Sequence, residues 1–97
     1  MKLVEELGIS ELTTEQIEVL CSNAEDAARK YVLSKVALKM VERLDISVDA
    51  EGLKPLNLTI DVHVALLRQI DVDLKEVVDE AAIEAMKASE EYMRKLK

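Results

Sequence analysis

Between Leu44 and Leu66 apolar and polar residues take turns along the chain, with a break at 51–55; on either side the apolar residues recur every three or four positions. A repeat of two belongs to a half-buried strand and a repeat near 3.6 to an amphipathic helix. The order helix, strand, strand, helix is therefore written in the spacing. Leu44, Ile46, Val48 and Ala50 alternate with Asp45, Ser47, Asp49 and Glu51. After Glu51-Gly52-Leu53-Lys54-Pro55, which holds the sole proline, Leu56, Leu58, Ile60, Val62, Val64 and Leu66 alternate with Asn57, Thr59, Asp61 and His63. Two such runs joined by a short turn predict an antiparallel hairpin.

The first helix is predicted from Thr13, where Thr13-Thr14-Glu15-Gln16 fits a capping box. Its stripe is Ile17, Leu20, Ala24, Ala27, Ala28, Tyr31 and Leu38, and no breaker stands between 15 and 43. The helix is thus expected to run to Arg43, about 29 residues and about 43 Å. The second starts at Asp73, in Asp73-Leu74-Lys75-Glu76, with the stripe Leu74, Val77, Val78, Ala81, Ala85, Ala88, Tyr92 and Leu96. Acids gather at the start of each helix and bases at its end, as the helix dipole favours. Residues 1–12 form an N-terminal segment, with Leu3, Val4 and Leu7 read as a short helical turn ended by Gly8 and with Ile9 and Leu12 docking on the body. Residues 13–97 form one α-β-β-α domain. The fold class is α+β: an antiparallel hairpin covered on one face by two long helices.

Composition narrows the function. A net charge of −7 argues against a broad grip on nucleic acid. With two Tyr and no Phe or Trp, the chain lacks stacking platforms for single strands. No apolar run approaches the roughly 18–20 residues of a membrane span. The residues after Met1-Lys2 give no apolar signal core, and a lone Cys21 fits a reducing compartment, so a cytoplasmic location is expected. The many Glu and Lys beside two Asn and two Gln point to a heat-adapted source.

The segments LTTEQIEVLCSNAEDAARKYVLSKV (12–36), LDISV (44–48), LNLTIDVHV (56–64) and DVDLKEVVDEAAIEAM (71–86) resemble a small archaeal family of unknown function. Its members are often encoded near the prefoldin beta subunit. The resemblance spans roughly 11–96 and brings no active site; it implies a link to translation or protein quality control.

Three clusters bear on chemistry. His63 shares a strand face with Asp61 and, across the hairpin, with Asp45, a weak metal site of two carboxylates and an imidazole. A solvated acidic sheet face with a lone histidine is the simpler account, since strand alternation alone produces the spacing. Cys21 in apolar and acidic surroundings is a poor nucleophile and reads as a small packed side chain. Lys35, Lys39 and Arg43 would share one face of a continuous helix, following Arg29 and Lys30, and could touch phosphates. Pairing with the acidic start of the second helix is the simpler account. There is no Gly-rich phosphate loop, serine elbow or Cys/His cluster, so no enzyme and no cofactor is expected.

The expected function is a non-enzymatic homodimeric interaction or scaffold module with a further, unidentified protein partner. An RNA- or ribosome-contacting module using the basic end of the first helix is the alternative. The dimer follows from geometry. A first strand of about seven residues spans about 23 Å, which a helix of about 43 Å overhangs, leaving Val32, Val36, Met40 and Val41 to be covered. Val64, Leu66, Leu67 and Ile70 outrun the first strand. Pairing of the second strand with its copy into a four-stranded sheet would cover them; pairing through the first strand is the other possibility.

Overall fold

The computed structural model describes residues 2–7, 12–52 and 56–96. Along the chain these are strand β1 (Lys2–Leu7), helix α1 (Thr14–Lys35), a single 3-10 turn (Leu38–Met40), strands β2 (Val41–Glu51) and β3 (Leu56–Leu66), and helix α2 (Leu74–Lys95). The strands form one antiparallel sheet in the order β1-β3-β2. The expected α-β-β-α core is present, with a third strand added in front of it.

Both helices begin where the sequence places them. The Thr13 hydroxyl accepts from the Gln16 backbone N–H at 3.1 Å, and Gln16 Oε1 accepts from the Thr13 N–H at 2.9 Å. Asp73 Oδ1 accepts from the Glu76 N–H at 3.2 Å. Each side chain satisfies a donor that has no partner inside its own helix.

The end of α1 departs from expectation. The helix stops at Lys35, and Val36 is extended at φ −130°, ψ 127°. The chain then makes one tight turn, with the Met40 N–H donating to the Ala37 carbonyl at 2.9 Å, and enters β2 at Val41, three residues before the expected strand start. No helix-breaking residue causes this. The opposing strand does: β3 runs to Leu66, and residues from Val41 onward supply its partners. A helix of 22 residues, about 33 Å, then matches a strand of 11, about 36 Å. The anticipated overhang of α1 does not exist. Val32 and Val36 are buried in the core, while Met40 and Val41 are half-buried.

The N-terminus is corrected as well. Residues 2–7 are an extended strand, not a helical turn, pairing with β3 from Lys2 opposite Asp61 to Leu7 opposite Leu56. A two-stranded hairpin is marginal alone, and β1 gives the central strand a partner on its second side. Val4, at 59% exposure, lies on the open face, and Leu3 is half-buried against the core. Gly8 and Ile9, the expected cap and docking contact, lie outside the described residues, as do Leu53, Lys54 and Pro55 of the expected turn. Leu12 is buried, as expected. Gly52 has φ 80°, a left-handed backbone that suits glycine at the start of the turn.

The core lies between the helices and one face of the sheet. Leu56, Leu58, Ile60 and Val62 of β3 are fully covered. Above them pack Leu20, Ala24, Ala28 and Val32 of α1 and Val77, Ala81, Ala82, Ala85, Met86 and Met93 of α2. The alanines remove bulk at the level where the helices meet. Both helices join the same end of the hairpin through short connections, so they run antiparallel. Ser89 is buried and donates to the Ala85 carbonyl at 3.0 Å, so its hydroxyl is satisfied. Among the described residues, no helix is long and apolar enough to cross a membrane.

Candidate interaction surface

The two edges of the sheet are unlike. β1 covers β3 only from Leu56 to Asp61. β2 presents an eleven-residue edge whose outer side carries no strand among the described residues. Its inward residues Val41, Leu44, Ile46, Val48 and Ala50 are all half-buried, although their neighbours Leu58, Ile60 and Val62 on β3 are fully covered. The difference follows from position: a central strand has side chains on both flanks, an edge strand on one. An unpaired, half-covered apolar edge is what proteins ordinarily cover, blunt or use for pairing. Blunting is present at one end only. A bulge between Val41 and Arg43 leaves Glu42 as the extra residue, and a regular ladder runs from Arg43 to Glu51.

The hairpin brings Asp45 opposite His63 on the open face, as the alternation predicts. His63 Nε2 lies 3.0 Å from Asp61 Oδ1. Asp45 is engaged elsewhere, accepting from Arg43 Nε. Two of the three candidate ligands are thus together and the third is neutralised by a guanidinium. Among the described residues no group of three or more His, Cys, Asp and Glu side chains is arranged to hold a metal.

The basic stripe is dispersed. With α1 ending at Lys35, Lys39 falls in the 3-10 turn and Arg43 on β2, so the three no longer share a helical face. Lys35 Nζ stands over the Tyr31 ring, 5.7 Å from its centroid, and Arg43 is held by Asp45. On the helix surface Arg29 is paired with Glu25 at 2.8 Å.

The premise for a dimer through β3 also changes. The hairpin strands are of equal length, and Val64 and Leu66 stand opposite Leu44 and Val41. Leu67, 62% exposed, donates its N–H to the Met40 carbonyl at 2.9 Å. Ile70 is half-buried in the connection to α2, beside Leu66, Val72 and Leu74. These residues have partners that the sequence reading did not give them, because β2 begins earlier than expected.

Cys21 is half-buried, and burial first, then the charge of Asp49, pushes its thiol pKa up. A raised thiol pKa means that the unfolded chain ionises first as pH rises. The contribution to stability is therefore whole below the ordinary thiol range and is lost as pH climbs through it. In a thiol titration with an aromatic disulfide reagent at pH 8, the native chain is expected to react more slowly than the urea-unfolded chain. Asp49→Asn should accelerate the native reaction, but by less than unfolding does, because burial is the larger cause. An equal rate in native and unfolded chains would contradict the assignment.

Solved structures show the same fold. A crystal structure from Thermococcus onnurineus NA1 superposes with a TM-score of 0.81 at 24% identity, covering 99% of this chain and 93% of that one. The solution structure of the hypothetical protein mth677 from Methanothermobacter thermautotrophicus gives 0.78 at 23% identity, covering 94% and 99%. An uncharacterized protein of Pyrococcus furiosus is 25% identical over 96 residues, 99% of this chain and 86% of its own length. Residues 9–92 match the family described as protein of unknown function (DUF3194), and with these archaeal relatives the chain belongs to that family.

Proposed function

We propose that this protein is a non-enzymatic interaction module that works as a homodimer, joined through the edge of β2 instead of through β3. The observation that carries the reading is the β2 edge itself: eleven residues long, with no strand on its outer side among the described residues and every inward apolar residue half-buried. A two-fold pairing of such an edge extends the sheet and covers those residues in one step. The acidic outer face, part of a net charge of −7, opposes stacking of further copies. A cytoplasmic setting accords with the single free cysteine. The family resemblance points to translation or protein quality control as the process served.

Light scattering of the full chain at micromolar concentration tests this. The expected mass is twice the 10.9 kDa of one chain. Leu67→Asp, on the exposed tail after β3, should leave that mass unchanged. A single-chain mass across the concentration range refutes the homodimer, and loss of the dimer in Leu67→Asp moves the interface back to the β3 tail.

A further inference from the structure

We propose that two copies pair β2 against β2 about a two-fold axis at Ile46, making one six-stranded sheet in which Arg43 of each copy faces the partner's Asp49. The inference rests on the homodimer reading above and names its register.

Side chains alternate between faces, so an antiparallel pairing that keeps apolar residues on the helix side must set even positions against even and odd against odd. For a symmetric pair, that leaves one choice: which residue sits on the axis. Directly opposed like charges destabilise a ladder and opposed unlike charges stabilise it. The β2 sequence VERLDISVDAE carries Arg43, Asp45, Asp49 and Glu51 on its open face. An axis at Asp45 or Asp49 sets that aspartate against itself. An axis at Ser47 sets Asp45 against the partner's Asp49 twice. An axis at Val48 opposes Asp45 to the partner's Glu51, and one at Ala50 opposes Asp49 to the partner's Glu51.

An axis at Arg43 or Glu51 likewise sets that residue against itself. Two axes avoid opposed like charges, Leu44 and Ile46. The bulge decides between them. It interrupts the regular edge before Arg43, so an axis at Leu44 has a ladder only from Arg43 to Asp45. An axis at Ile46 uses the whole run from Arg43 to Asp49. Both ends of that run are then closed by an Arg43–Asp49 pair. Inside it, Asp45 stands opposite the partner's Ser47. On the covered face Leu44 meets the partner's Val48, and Ile46 meets its copy, and these are the three half-buried residues at the centre of β2. Arg43 and Asp45 are exposed and already joined within one chain. Arg43 therefore brings its guanidinium to the edge with donors to spare for a second carboxylate. Such a contact is isologous: it closes on itself, and neither copy keeps a free β2 edge for a third.

The test is a charge exchange read by sedimentation equilibrium on the full chain, with a thermal melt of each variant to confirm folding. Arg43→Asp alone and Asp49→Arg alone each set like charges opposite at two symmetry-related positions. Each should raise the dimer dissociation constant about tenfold or more. The double variant Arg43→Asp with Asp49→Arg restores opposite charges and should return the constant to near that of the parent chain. Asp45→Asn, which breaks only the pair within one chain, should leave it little changed. A dimer indifferent to the single variants, or a double variant weaker than both singles, overturns the register while leaving the homodimer standing. A parent chain that is monomeric at every concentration overturns both.

Discussion

Ile60→Asp is expected to leave the chain unfolded at room temperature, while Thr59→Asp, one residue away, still folds. Ile60 is fully covered at the middle of the central strand, between Leu3 of β1 and Val48 of β2. Removing a buried side chain of this size costs about 2–5 kcal/mol. A carboxylate in its place meets alanine, leucine and valine, with no buried cation on the core face among the described residues, which adds several kcal/mol more. A domain of 97 residues has roughly 5–15 kcal/mol in total. The sum reaches or exceeds the stability available. Thr59 points to the open face, opposite Val4 and Asp49. An aspartate there adds one opposed like charge, a cost of up to about 1 kcal/mol. Far-UV circular dichroism with thermal melts ranks the two variants. The reverse ranking would place the helices on the other face of the sheet.

The second large effect is expected from overpacking. Ala28 of α1 and Ala85 of α2 are both fully covered in the core. Alanine and leucine differ little in helix propensity, so replacing one by the other reports packing and not helix formation. Ala28→Leu and Ala85→Leu should each cost about 1–3 kcal/mol, because the extra methylenes force the helices apart or off their preferred rotamers. Thermal midpoints should fall by roughly 5–20 °C. Ala65→Leu, exposed on the open face of β3, should stay within about 0.5 kcal/mol of the parent. If the two core variants melt with the parent, the helices do not meet on their alanines.

Why the sequence misplaced the end of α1 can be traced to the bulge. Val41 and Leu44 are both half-buried, with exposed Glu42 and Arg43 between them. A regular strand would show one polar residue in that gap. The extra residue turns the local spacing into three, the spacing of a helix, so the start of β2 looks like one more helical turn. Everything built on the longer helix moved with it: the basic stripe, the overhang and the unpartnered tail of β3. Leu3, Val4 and Leu7 are ambiguous for another reason. Three apolar residues in a short run fit either period, and what makes them a strand is partners 49 to 57 residues away, from Leu7 opposite Leu56 to Leu3 opposite Ile60.

The interaction surface was legible only in part. That Asp45 stands opposite His63 and that Leu44, Ile46 and Val48 share the covered face follow from alternation and a hairpin turn, both local. Which strand would be central was not legible, and it decides which edge is free.

The residues alone determined the hairpin, the faces of its strands, the caps at Thr13 and Asp73 and most of the apolar stripe of each helix, Leu38 and Leu96 being exposed instead. Each of these is set by neighbours within a few positions, through the alternation of side chains or a hydrogen bond spanning three residues. Only the tertiary structure decided where α1 stops, that residues 2–7 join the sheet, and that β3 is central with β2 at the edge. Those outcomes depend on strand partners distant in sequence, whose hydrogen bonds any residue's backbone can make and which therefore leave little trace in side-chain pattern.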